Sequence, residues 1–205
     1  GESGSTENIT SNVGISGSIV YYLSLNNNGG LERNLKVRFD ATLMAVTLNH
    51  YGKYAESVGS FGDKLRAMES DVKVSNVGFQ LEYYPFQTDD HSDSKISPYI
   101  APGFQINMYS ANASSSLDPI GNLNTIPAKY IDGFKDTSGT AFSMTGALGV
   151  RYKFSDSGAL VLEGQFKYYF SDWIEGMNPD PKIYKENKNN DFSGTFQIGY
   201  VYYLD

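Results

Sequence analysis

Seven stretches of the chain alternate apolar and polar residues with a period of two. That spacing sends successive side chains to opposite faces of a β-strand. The stretches cover about Val13–Ser24, Asn34–Asn49, Ser75–Pro85, Ile96–Ser110, Thr140–Phe154, Ala159–Ser171 and Phe192–Leu204. Strands of soluble proteins average about 5–6 residues. These are longer, and each reaches the roughly 9–11 residues that a tilted strand needs to cross a bilayer.

The two faces differ sharply. In the second stretch Leu35, Val37, Phe39, Ala41 and Leu43 share one face, and Lys36, Arg38, Asp40 and Thr42 share the other. The third sets Val77, Phe79, Leu81 and Tyr83 against Asn76, Gly78, Gln80 and Glu82. The fifth sets Phe142, Met144, Leu148, Val150 and Tyr152 against Ser143, Thr145, Arg151 and Lys153, and the sixth sets Leu162, Phe166 and Tyr168 against Glu163, Gln165 and Lys167. The apolar faces carry no charge. A Lys or Arg turned toward mid-bilayer lipid costs about 2–4 kcal/mol, so this cleanliness fits a lipid-facing surface. A soluble barrel would alternate too, with its apolar face inward. Strand length, aromatic richness of the apolar face and alternating loop lengths favour the membrane. The expected fold is therefore all-β: an antiparallel up-and-down transmembrane β-barrel, forming one domain over residues 1–205 with a polar loop or tail at 1–12.

The chain has 205 residues, no Cys and a formal net charge of −7. Disulfides are excluded, and the negative charge argues against a nucleic-acid partner. No apolar run is long enough for a transmembrane helix. No signal peptide is visible at Gly1–Thr10, so an exported protein would be present here in processed form.

The connections alternate in length. Leu25–Arg33, Gln87–Lys95 and Ser155–Gly158 are short, whereas Tyr51–Val74, Ala111–Gly139 and Asp172–Asp191 are long. Bacterial barrels have short periplasmic turns and longer outside loops, which places the C-terminus in the periplasm of an outer-membrane protein. Seven crossings conflict with the even strand number of such barrels. Eight strands are therefore expected, the eighth lying upstream in the same protein or supplied by a partner.

The last stretch, Phe196-Gln-Ile198-Gly-Tyr200-Val-Tyr202-Tyr-Leu204, resembles the C-terminal signal read by the barrel assembly machinery, with an extra Asp205 after it. Glu163 to Met177, followed by Asn189-Asn-Asp-Phe192, resembles the ending of type IX secretion-associated, OmpA-like barrels. Ser97-Pro-Tyr-Ile-Ala-Pro-Gly-Phe104 resembles a middle strand of that group. Trp173 and Glu175 depart from its motif. The resemblance implies a barrel inserted into outer-membrane lipid and associated with other outer-membrane or periplasmic proteins of a secretion system.

Arg38, Asp40, Glu82, Arg151, Glu163 and Lys167 all fall on the polar face. A barrel of about eight strands is just wide enough for side chains, so charges inside it must pair. They are expected to form a salt-bridge plug; an ion path is the alternative. Tyr83, Tyr84, Tyr99, Tyr109, Tyr152, Tyr168, Tyr169, Trp173, Tyr200, Tyr202 and Tyr203 gather near strand ends and predict aromatic girdles at the bilayer interfaces. Loop aromatics such as Tyr130 and Trp173 offer carbohydrate contacts as an alternative role.

His50 and His91 are the only histidines. His50 lies near the outside end of the second stretch with no Ser or Asp partner at recognisable spacing, and His91 lies in a periplasmic turn, so no enzyme activity is expected. Asp89, Asp90, His91 and Asp93 form an acidic turn without a calcium-loop pattern, and Asp180 is a lone carboxylate between prolines. No metal or cofactor is expected. The sequence thus predicts a plugged, non-enzymatic barrel that anchors or scaffolds an outer-membrane assembly. A small channel or surface-binding barrel is the alternative, with a lipid-modifying enzyme behind it.

Overall fold

The computed structural model describes residues 12–25, 34–86, 95–180, 182–183 and 190–204. These form one seven-stranded antiparallel sheet in strict up-and-down order. The strands are β1 (Ile15–Ser24), β2 (Leu35–Asn49), β3 (Met68–Tyr83), β4 (Ile96–Ser115), β5 (Thr137–Ser155), β6 (Gly158–Tyr169) and β7 (Phe192–Tyr202). A helix α1 (Ser60–Ala67) and a 3-10 turn (Ala128–Tyr130) lie in the long loops. The sheet curls into a half-barrel, and β1 and β7 pair only with their sequence neighbours. The expected eight strands are thus seven among the described residues.

Three strands outrun the sequence expectation. β3 begins at Met68, inside the stretch read as loop, β4 continues to Ser115, and β5 begins at Thr137. The reason lies in the phase of the alternation. Over Asn76–Glu82 the inward residues of β3 are polar and the outward ones apolar. Over Met68–Val74 the pattern reverses: Met68, Val72 and Val74 are buried, while Asp71 and Lys73 face out. The backbone ladder runs on without a break through this reversal, from Glu69 opposite Asn49 to Tyr83 opposite Leu35.

The same reversal recurs in the neighbours. Met44, Val46 and Leu48 of β2 and Ala111 of β4 pack inward with Val72, Val74, Ala141, Tyr169 and Ile174. Ser110, Asn112 and Ser114 of β4 face out. Below this level, toward the short turns, the exterior is apolar: Phe104, Leu148 and Ile198 are 52%, 63% and 77% exposed. On β4 this apolar exterior runs from Ile96 to Met108. At ~3.3 Å per residue that is roughly 40 Å along the strand.

Above the reversal the long loops fold down over the open end. Leu65 of α1 packs with Ala55, Met68, Ile126 and Phe134, and Ile120, Tyr130, Ile131 and Met177 cover them. An isolated bridge joins Phe134 to Met177, linking two of the three long loops. Ser70 Oγ donates to the Glu175 carbonyl at 2.7 Å and ties this lid to β3. Gly176, in the left-handed region at φ 71°, lets the chain turn tightly against Ala111 and Ser70.

Below the reversal the interior is crowded. A Cβ on Gly103 would lie 2.3 Å from the Phe79 carbonyl oxygen, and one on Gly149 would lie 2.3 Å from the Tyr99 ring. Gly103→Ala is expected to destabilise the fold by about 1–3 kcal/mol, read as a lower denaturant midpoint. Gly164→Ala, where a Cβ meets nothing within 4 Å, should leave the midpoint unchanged.

Candidate functional site

The polar interior is built by residues two apart on adjacent strands. Arg38 and Asp40 come from β2, Gln80 and Glu82 from β3, Gln105 from β4, Arg151 from β5, and Glu163 and Lys167 from β6. The register sets Arg38 beside Gln80 and Lys36 beside Glu82. Curling then brings β6 across to β2.

Arg38 is the centre. Its Nη1 donates to Glu163 Oε2 at 2.5 Å and its Nη2 to Glu163 Oε1 at 2.9 Å, a bidentate pair spanning the lumen. The same Nη1 reaches Glu82 Oε1 at 3.1 Å, and Nη2 reaches Gln80 Oε1 at 2.7 Å. Glu82 Oε2 accepts from Arg151 Nη2 at 3.1 Å and from the Tyr84 hydroxyl at 2.6 Å. Tyr99 donates to Glu163 Oε2 at 2.6 Å. The Arg151 guanidinium also lies over the Tyr22 ring, 4.6 Å from its centroid. Glu82 is fully buried, and Arg38, Arg151 and Glu163 are each 4% exposed.

Asp40 joins this network through amides rather than cations. It accepts from Gln80 Nε2 at 3.4 Å and from Gln105 Nε2 at 2.5 Å. Lys167 is buried but makes no ion pair among the described residues; its ammonium lies 5.8 Å from the Tyr169 ring centroid. Above Asp40, Asn107 Nδ2 donates to Ser143 Oγ at 2.8 Å and to the Ala141 carbonyl at 3.1 Å. All six of these charged residues are buried on the inner face of the sheet. Four of them form one ion-paired cluster, Asp40 adjoins it, and Lys167 stands apart.

The aromatic expectation divides. Tyr152, Tyr168, Tyr200 and Tyr202 project outward and are exposed, and Tyr83 is half-buried. Tyr84, Tyr99 and Tyr169 are inside instead, each 3% exposed or less, because their places in the alternation are those of Glu82, Gly103 and Lys167. A tyrosine near a strand end resembles a girdle residue unless its parity is counted. Trp173 lies in the lid with the Lys135 ammonium 5.1 Å from its ring, and Tyr130 stacks edge-on with His50. Phe196, Ile198, Tyr200, Tyr202 and Leu204 form one exposed apolar row on and just after β7.

His50 follows β2 beneath the lid. Burial pushes its imidazole pKa down, and a backbone hydrogen bond with Met68 opposes the shift. Ser70 is committed to the Glu175 carbonyl, so it does not pair with His50. Asp89, Asp90, His91 and Asp93 lie outside the described residues. Among the described residues no group of three or more candidate ligands could hold a metal. Asp180 closes a turn by accepting the Lys182 N–H at 2.8 Å.

A second polar cluster escaped the sequence reading. Asp191 accepts the Ile174 N–H at 2.9 Å and so pins the β6–β7 loop. Burial first, and then the neighbouring Glu175 carboxylate, pushes its pKa up to about 7; the Ile174 N–H opposes the shift. Burial raises Glu175 as well. Only the folded lid places Glu175 beside Asp191, 16 residues away in sequence.

No known protein-family model matches the chain, and no curated protein matches it in sequence.

Two predictions follow from the paired and clustered carboxylates. Arg38→Met leaves Glu163 buried without a cation and should cost about 3–5 kcal/mol, measured by denaturant unfolding. Adding Glu163→Gln to it should recover much of that loss, whereas Glu82→Gln should not, because it takes the carboxylate from buried Arg151. In the lid, the folded pKa of Asp191 lies above its unfolded value. Between those two values the folded lid holds a proton that the unfolded chain does not. Lid stability should therefore fall as pH rises from about 4 to about 7 and then level off. Trp173, the only tryptophan, reports on this loop by its emission. Asp191→Asn should flatten the titration.

Proposed function

We propose that the chain is a bacterial outer-membrane β-barrel, plugged by its own side chains, that serves as an anchor or scaffold subunit of an outer-membrane assembly. The observation that carries this reading is the reversal of polarity along single continuous strands. An apolar exterior over a polar, ion-paired interior suits hydrocarbon outside. An apolar interior under a polar exterior suits water outside. A strand passing from one regime to the other without interruption suits a protein that crosses a bilayer and rises out of it. Tilted as such strands are, the apolar span of β4 covers about 30 Å, close to a hydrocarbon core.

The clustered charges support a structural role for the lumen. Three cations and three carboxylates balance, and the cluster crosses from β2 to β6 through the middle of the curl. The apolar row from Phe196 to Leu204 supports recognition by the barrel assembly machinery during insertion. The resemblance of the Glu163–Met177 region to type IX secretion-associated barrels supports a secretion assembly as the context. The folded lid then offers the contact surface on the outside.

The plug is tested by conductance in planar bilayers. The wild-type protein should be silent, and Arg38→Ala combined with Glu163→Ala should admit current. Stable, ion-selective openings in the wild type would reject the plug. Capture of partners in mild detergent, with the lid loops intact and then shortened, tests the scaffold role. Equal recovery of the same outer-membrane partners from both forms would remove the lid as the contact surface.

A further inference from the structure

We propose that the outer wall carries a site for one anionic membrane lipid, an acyl chain lying in a groove across β1–β3 and the headgroup phosphate against Lys73. The proposal deepens the barrel reading above and rests on it.

Lys73 stands alone on its face. Among the described strand residues it is the one cation that points outward, since Arg38, Arg151 and Lys167 are buried inside and Lys36 and Lys153 share their parity. Its ammonium has no ion pair among the described residues. The register sets Lys73 opposite Ser110, and Ser75 opposite Met108. Met108 is the last apolar residue on the outside of β4, so Lys73 sits one step above the hydrocarbon band. A lysine at that level lays its stem along apolar surface and presents its charge at headgroup depth.

Beneath Lys73 the wall is indented. A groove of about 480 Å³ crosses the outer face of β1, β2 and β3. Ile15 faces Ala45, which faces Lys73; one step lower, Gly17 faces Leu43, which faces Ser75. Large and small side chains therefore alternate, and Gly17, Ala45 and Ser75 form the floor. A Cβ on Gly17 would meet nothing within 4 Å. Apart from Ser75 and the Lys73 ammonium, the side chains of these two rows are apolar. On β4 and β5 the wall projects instead, through Met108 and Phe142.

Charge and shape together select the occupant. A soluble anion would use the ammonium and leave the groove. A neutral lipid would use the groove and leave the ammonium. A lipid with a negative headgroup uses both. Asp71, the next outward residue toward the lid, tempers the attraction, but it lies further from the groove and its carboxylate accepts from Thr47 Oγ1 at 2.6 Å.

The test measures local lipid composition by tryptophan quenching. In a Trp173→Phe background, Val77→Trp places a reporter one step below the groove, and Phe166→Trp places one on the distant wall of β6. The protein is reconstituted into phosphatidylcholine vesicles containing a minor share of brominated phosphatidylglycerol. At position 77 the local share of the brominated lipid should exceed the bulk share about fivefold, the enrichment expected of one lysine near the headgroups. At position 166 it should equal the bulk share. Lys73→Gln and, separately, Gly17→Leu should each bring position 77 down to the bulk level, and Asp71→Asn should raise it. The reporter at 166, unchanged in each variant, certifies insertion.

Equal quenching at the two reporters would overturn the proposal. So would an excess at 77 that survives Gly17→Leu, since Lys73 would then gather headgroups without the groove. Displacement of the excess by millimolar inorganic phosphate would mean a soluble-anion site and would also overturn it. Quenching at neither reporter, with emission typical of water, would defeat the barrel reading itself. Equal quenching at both leaves that reading standing and removes only the lipid site.

Discussion

Arg38 and Glu163 are 125 residues apart, and their bidentate contact fixes how far the sheet curls. A seven-stranded antiparallel ladder alone has no preferred closure. It becomes half a barrel because β2 and β6 meet through this pair. The meeting is worthwhile because the carboxylate oxygens of Glu82 and Glu163 all have donors. Glu82 takes two arginines and a tyrosine, and Glu163 takes Arg38 and Tyr99. Removing one partner leaves a desolvated charge, which is why the cluster behaves as a unit. Gly103 and Gly149 belong to the same arrangement, since their missing side chains make room for Gln80 and Tyr99.

Above this cluster the physics inverts within the same strands. Val72 and Val74 turn inward four and two residues before Asn76 does, on one unbroken alternation of faces. The inner surface becomes an ordinary hydrophobic core, and the lid completes it with Leu65, Ile126 and Phe134. Hydrophobic burial, not ion pairing, holds that half. The carboxylates of Glu175 and Asp191 are an electrostatic liability within it, and they couple the lid to pH. The molecule therefore has two cores of opposite character stacked along one sheet.

The strands, their order and the parity of the lumen charges were legible in the sequence, because period-two alternation is a local signal. Arg38, Glu82, Arg151 and Glu163 could be assigned to one face without knowing which of them would touch. The pairings depend on curl, which no local pattern encodes. The extension of β3 to Met68 was missed for a different reason. A reversal of which face is apolar looks like the end of a strand when one solvent is assumed throughout. Tyr84 and Tyr99 were misplaced by proximity to strand ends, although the step of two from Glu82 to Tyr84 already marks an inward side chain. The lid was not legible, since its contacts join residues from three separate loops.

The central claim is that the apolar exterior meets hydrocarbon while the charged row is enclosed. Fluorescence quenching by brominated lipids measures this directly. In a Trp173→Phe background, a single tryptophan replaces Phe104 or, on the opposite face, Asn107. The account predicts strong quenching at position 104 with a blue-shifted emission, and little quenching at position 107. Equal quenching at the two positions, or none at 104 with emission typical of water, would contradict it.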